Sequence, residues 1–216
     1  MKTLAESFLT KEEQEQINAC VQEQEKITSG EIVPMIVSAS HSYPLAPIVG
    51  GTLFALPFSL VLTRRLGDAF WIGPDNMWLF LSLFVVFFTA AYQVIKRSRT
   101  LKRYFLLPDR AVSEVREAAV SAFFTEKLYQ TKAANGILLY ISVLERRVWI
   151  LADSGINEKI DTDRWQGIVD QVTTGIRKNR SCESICEAIT DIGTILKEHF
   201  PIEADDKDEL HNLIIR

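Results

Sequence analysis

Four carboxylates lie close together in the segment LADSGINEKIDTD: Asp153, Glu158, Asp161 and Asp163. Asp153 follows a run of apolar residues that reads as a strand, and Ser154 and Gly155 come next. Carboxylates on a loop at the end of a sheet are the usual ligands of Ca²⁺ and Mg²⁺, which demand hard oxygen donors. Ca²⁺ takes six to eight oxygens, so these side chains with loop carbonyls and water suffice for a weak divalent-cation site. The competing reading makes Asp161 or Thr162 the cap of the next helix and leaves Glu158 solvated. A second acidic run, Glu203, Asp205, Asp206, Asp208 and Glu209, reads as a solvated tail with a helix start.

Other chemistry is sparse. No Walker loop, GxGxxG, GxSxG, HExxH or CxxC occurs, so the common cofactor and hydrolase motifs are missing. His41, His199 and His211 are the only imidazoles, and their placement makes no Ser-His-Asp triad. Cys20, Cys182 and Cys186 are an odd number, which indicates neither a disulfide framework nor a standard zinc site and fits a reducing compartment. Cys182 and Cys186 stand at i and i+4 on one helix face; that spacing permits metal binding or redox pairing, but small core residues are the plainer reading.

These groups must be positioned by a chain of 216 residues, enough for one domain and an appendage. Twenty-four basic against 28 acidic residues give a net charge of −4, which offers no general attraction for nucleic-acid phosphates. Leu45 to Leu62 is 18 uncharged residues and Met77 to Ile95 is 19, each spanning about 27 to 29 Å as a helix. They read as a transmembrane hairpin, with Pro57 inside the first span, Gly50 and Gly51 permitting close approach, and Trp71 and Trp78 at the interfaces. Lys96, Arg97, Arg99, Lys102 and Arg103 follow the second span, whereas Arg64 and Arg65 in the loop are offset by Asp68 and Asp75. That bias puts both termini and the soluble domain in the cytoplasm, at an inner or plasma membrane. The basic run could also hold anionic lipid headgroups.

The expected organisation is residues 1–44 as a first helix and strand, 45–95 as the hairpin (45–62 and 77–95), and 96–216 as the rest of the soluble domain. Thr10 and Glu13 form a capping box for a helix from Lys11 to about Ile27. EIVPMIVSAS reads as a buried strand in which Pro34 favours an edge or bulge. Asp109 is expected to cap a helix from Arg110 to about Lys127. Gly136 to Leu144 and Arg147 to Ala152 make an antiparallel hairpin turning at Glu145 and Arg146, and helices follow over Thr162–Lys178 and Glu183–Phe200. The order predicts an α/β layered domain, interrupted by the transmembrane hairpin.

SGEIVPMIV, AFFTEKLYQTKAANGILLYISVLERRVWILADSGINEKI, WQGIVDQV and AITDIGTILKEHFP with DDKDELHNLI together resemble the TPM-domain family. That family includes thylakoid acid phosphatase and photosystem II repair proteins, and this chain looks like a bacterial-type member with an inserted hairpin. The resemblance covers about three quarters of the chain and implies a small sheet sandwiched by helices, in agreement with the layered order. Some members resemble weak acid phosphatases, some bind Ca²⁺ or other divalent ions in loops at one end of the sheet, and several act in assembly or repair of membrane complexes. Glu31, Asn135, Gly136, Asp153 and Gly155 fall in matching motifs, and Glu31 and Asp153 carry ligating or acid/base chemistry. Glu31 is the weaker candidate, because a parallel pairing of its strand with that of Asp153 would put the two at opposite ends of the sheet. The expected function is a non-enzymatic binding, assembly or quality-control module for a membrane-protein partner, held in the bilayer by two helices. The alternative is a metal-assisted acid phosphatase, in which Asp153 and its neighbours hold an ion that polarises a phosphoryl oxygen.

Overall fold

The computed structural model describes residues 3–105, 108–131, 133–161, 163–202 and 212–216. The chain forms two compact units, Met1–His41 with Ala111–Arg216, and Ser42–Arg110.

The first unit opens with α1 (Lys11–Glu25). Its capping box is present: the Glu13 amide donates to the Thr10 hydroxyl at 3.2 Å, and the Thr10 amide donates to the Glu13 carboxylate at 2.7 Å. The helix stops short of Ile27 because the chain is drawn away at Thr28, whose hydroxyl donates to the Phe200 carbonyl at 2.6 Å. The strands β1 (Glu31–Val37), β2 (Gly136–Ser142), β3 (Arg147–Ala152) and β4 (Ile214–Ile215) lie in the order β3-β2-β1-β4. β1 runs parallel to β2 and β4, and β2 is antiparallel to β3. Every residue of β1 and β2 is buried, as expected where helices cover both faces of a sheet.

Alternation sorts those residues. Ile32, Ile36, Ile137, Leu139 and Ile141 share a core with Ile17 of α1, Val172 of α7 (Arg164–Arg177) and Ile185, Ile189 and Ile192 of α8 (Ser181–His199). Val33, Met35, Leu138 and Tyr140 face the other way, onto Val115, Ala119 and Phe123 of α5 (Pro108–Thr125). Asp109 lies in the first turn of α5 and does not precede it, since Pro108 starts the helix, a position where a missing N–H is harmless. Lys127, at φ 59°, separates the end of α5 from the turn that follows it.

Pro34 sits in the middle of the ordered sheet, yet the edge expectation is met locally. The Ile36 carbonyl and Ser38 amide bond to Arg216, so even-numbered residues of β1 direct their backbone toward β4. β4 pairs only with Met35 and Ile36, and the missing donor of Pro34 therefore faces an unpaired stretch. β4 has no counterpart among the strands expected from the sequence. It is held by its backbone pairing and by an ion pair, 2.7 Å, between Arg216 and Glu126.

In the second unit, α2 (Leu45–Ala69) and α3 (Met77–Arg97) extend past the uncharged runs and are followed by a short α4 (Arg99–Tyr104). Both long helices have the length and apolar character to cross a membrane, with mean hydropathy 2.0. The buried positions of α2 are small or polar, among them Ala46, Gly50, Gly51, Ala55, Ser59, Thr63 and Gly67. A Cβ on Gly51 would lie 3.2 Å from the Phe88 ring, so the helices approach closely at the expected glycines. Trp71 and Trp78 are almost fully exposed.

Candidate functional site at one end of the sheet

The β1–β2 register sets Glu31 beside Gly136, and the Asp153 amide donates to the Gly136 carbonyl at 2.9 Å. The starts of β1 and β2 and the end of β3 therefore share one end of the sheet. This overturns the expected separation of Glu31 from Asp153: β1 and β3 are antiparallel through β2, so the two residues flank Gly136 in one row. Their alternation puts both on the α5 face, with Cα atoms roughly 10 Å apart across two strand spacings. Gly136 must lack a side chain, because the Leu128 carbonyl of a 3₁₀ turn (Leu128–Gln130) occupies the place of its Cβ.

Around that row the chain spends its polar groups on itself. Asn135 is buried, donates its side-chain amide to the Ser29 carbonyl, and donates its backbone amide to the Thr131 hydroxyl at 3.0 Å. Glu31 is buried as well. One Asp153 oxygen accepts from the Ser154 amide at 2.7 Å and caps the short α6 (Ser154–Asn157). The other, Oδ2, is buried and has no hydrogen-bond partner. A Cβ on Gly155 would lie 2.7 Å from each of the Ala133 and Ala134 carbonyl oxygens, so two main-chain acceptors crowd this turn.

Glu158, Asp161 and Asp163 are exposed. Buried Ile156 and Ile160 turn the apolar side of the loop inward and leave these carboxylates outside. Asp161 accepts from the Asp163 amide at 3.1 Å, and Asp163 takes the cap position of α7 without a side-chain bond. Among the described residues, no group of three or more His, Cys, Asp and Glu side chains is arranged to hold a metal ion. Thr162, the acidic run from Glu203 to Glu209, and His211 lie outside the described residues.

A second polar cluster occupies the opposite end of the sheet, where the sequence reading placed only a turn. Glu145 is buried and accepts from the Ser142 hydroxyl and from the Ser40 amide at 3.0 Å. The Tyr140 and Ser40 hydroxyls are 3.3 Å apart. Burial pushes the Tyr140 phenol up, the Ser40 hydrogen bond opposes it, and the Glu145 charge adds to the rise. The Ser142-x-x-Glu145 spacing was the available signal, since a buried carboxylate needs donors.

The cysteines also differ from expectation. Cys20 and Cys186 form a disulfide between α1 and α8, with Cα atoms 5.8 Å apart. Cys186 is therefore not a plain packing residue, and the cysteines do not speak for a reducing compartment. Cys182 stands outside the disulfide and is buried. Burial, with the Glu13 charge second, raises its thiol pKa.

These features define an α/β domain with a mixed four-stranded sheet between helices, joined in one chain to a pair of long apolar helices. Residues 101–195 match the TPM domain, which is thus present over part of the chain. The NMR structure of the BA42 protein from the psychrophilic bacterium Bizionia argentinensis is similar in fold. It is 21% identical, with a TM-score of 0.58 over 96% of this chain and 94% of that one. No curated protein matches the chain in sequence.

Proposed function

We propose that this chain is a membrane-anchored TPM-like domain that binds a membrane protein and supports its assembly or quality control. The carrying observation is the outward display of large apolar side chains on α2 and α3, such as Leu53, Val61, Val85 and Val86. Water does not favour such a surface and hydrocarbon does. The domains of this reading are residues 1–44 and 96–216 as one soluble body and 45–95 as its anchor, with the termini placed in the cytoplasm by the basic residues from Lys96 to Arg103. Affinity purification of the full chain from native membranes should recover a membrane protein in near-stoichiometric amount; repeated recovery of the chain alone would count against the module. Orientation is read by impermeant thiol labelling in a background without the native cysteines. Asp75→Cys labels in intact cells and Lys178→Cys does not, and the reverse pattern inverts the topology.

The second reading is a weak divalent-cation site that supports phosphatase chemistry. The unpartnered Asp153 Oδ2, with the Ala133 and Ala134 carbonyls beside Gly155, favours it over a purely capping role for Asp153. A held ion would polarise a phosphoryl oxygen, and Asp153 with Glu158, Asp161 and Asp163 are the ligands this reading names. Calorimetry of the full chain should give a saturable Ca²⁺ heat that Asp153→Asn weakens. An unaltered titration in the variant removes the site, and phosphomonoester turnover unaffected by Asp153→Asn removes the phosphatase.

A further inference from the structure

β3 is an outer strand of the sheet, and among the described residues nothing pairs with its free edge. Asp153 bonds to β2, so the odd-numbered residues of β3 direct their backbone inward and the even-numbered ones outward. Of the outward residues, Ala152 has its carbonyl taken by the Asn157 side chain at 2.7 Å. Val148 and Ile150 keep two N–H donors and two carbonyl acceptors facing out. Such an edge is usually blunted by Pro, Lys, a bulge or a covering element. Here it lies instead at the floor of a groove of about 330 Å³. Val112 of α5 walls one side and Trp165 and Val169 of α7 the other, with Trp149 and Ile150 exposed in part between them.

We infer that this groove takes an extended acidic peptide segment of a partner protein, added to β3 as a further strand. The inference rests on the reading of the chain as a binding module and gives that module its contact site. The groove is walled by a helix on each face of the sheet. A second copy of this chain would bring its own α5 and α7 to the same place, whereas a lone extended segment brings nothing beyond its side chains. Main-chain hydrogen bonds supply affinity in this mode, and pockets for alternate side chains supply specificity. Apolar residues of the segment would meet Trp165 and Val169. Two cations outnumber one carboxylate at the groove: Arg147 lines it and the Arg116 guanidinium carbon lies 5.9 Å from the centre of the Trp149 ring, while Asp170 accepts from the lining Gln166 side chain at 3.0 Å and, among the described residues, the lining itself has no acidic side chain. Acidic side chains on the segment complement those two arginines.

The test uses full-length protein in nanodiscs of zwitterionic lipid and a fluorescent peptide of about eight residues alternating Glu and Val. Anisotropy should show saturable binding, about tenfold or more tighter than for the matching Lys and Val peptide. Arg147→Glu should reverse that order. Methylation of every peptide amide should weaken binding by about tenfold or more, because the peptide can no longer donate to the Val148 and Ile150 carbonyls. No saturable binding up to about 1 mM, or equal binding by the methylated peptide, overturns the inference. Ile150→Pro removes an outward donor that no other strand uses and should lower affinity similarly; Arg147→Glu keeps the test independent should that variant misfold. A native membrane partner retained at wild-type yield by both variants overturns the groove while leaving the module reading in place.

Discussion

The two units solve opposite packing problems with the same apolar residue types. In the sheet unit, Ile32, Ile36, Ile137 and Ile189 are wholly buried, and the exposed positions are mostly polar. In the helical unit the order inverts: Gly50, Gly51, Ala55, Ser59 and Thr63 are inside, while Leu53, Val61, Val85 and Val86 are more than 60% exposed. Its buried hydroxyls bond within their own helix, as in the 2.6 Å bond from the Thr63 hydroxyl to the Ser59 carbonyl. Water drives large apolar groups together, so a water-solvated core is built from them. Between any two helices in hydrocarbon that drive is absent, and close backbone approach at small residues takes its place.

The largest expected effect tests that inversion directly. Ile137→Ala should destabilise the sheet unit by about 2–5 kcal/mol, and Val85→Ala should change the hairpin by no more than about 0.5 kcal/mol. Hydrogen exchange in each unit measures both, and comparable losses would break the contrast. Next, Cys20→Ala should lower the stability of the sheet unit by about 2–4 kcal/mol under oxidising conditions. A reductant should produce the same loss in the wild type and none further in the variant, read from exchange in α8.

A smaller effect is expected where the hairpin is tightest. Gly51→Leu sets a side chain against Phe88 and should loosen the α2–α3 pair by about 1–3 kcal/mol, with partial recovery in Gly51→Leu/Phe88→Ala. Protection of the amides of α3 gives the measurement. The smallest effect is a pH slope. Burial raises the Tyr140 pKa above its usual 10.0, so folding favours the neutral phenol. Its contribution is complete below about pH 10 and is lost as pH rises through the folded pKa. Urea midpoints from about pH 9 to pH 11 should fall less steeply in Tyr140→Phe than in the wild type.

What could be read without a structure was local. Thr10 and Glu13 are three residues apart and need nothing beyond one helical turn to form their capping box. The β2–β3 hairpin followed from two apolar runs and a short connection, and the hairpin helices from uncharged length alone. The order of the elements supplied the layered arrangement, and a resemblance carried by whole motifs agreed with it. Asp153 was legible as a residue at a strand end, and its orphaned Oδ2 was not, because burial of a single oxygen depends on Gly155 and the loop before β2.

The sequence by itself determined the longer elements, the division into apolar and charged segments, and the acidic loop after β3. Only the tertiary structure decided which distant residues meet. Ile214–Ile215 is too short for any periodicity, and becomes a strand because β1 offers it an edge. Cys20 and Cys186 are 166 residues apart and pair because α1 lies along α8. Glu31 and Asp153 share one end of the sheet because β2 runs parallel to the first strand and antiparallel to the third. Strand direction and helix packing are properties of neighbours in space, set by burial of both sheet faces at once, and no window along the chain contains both members of such a pair.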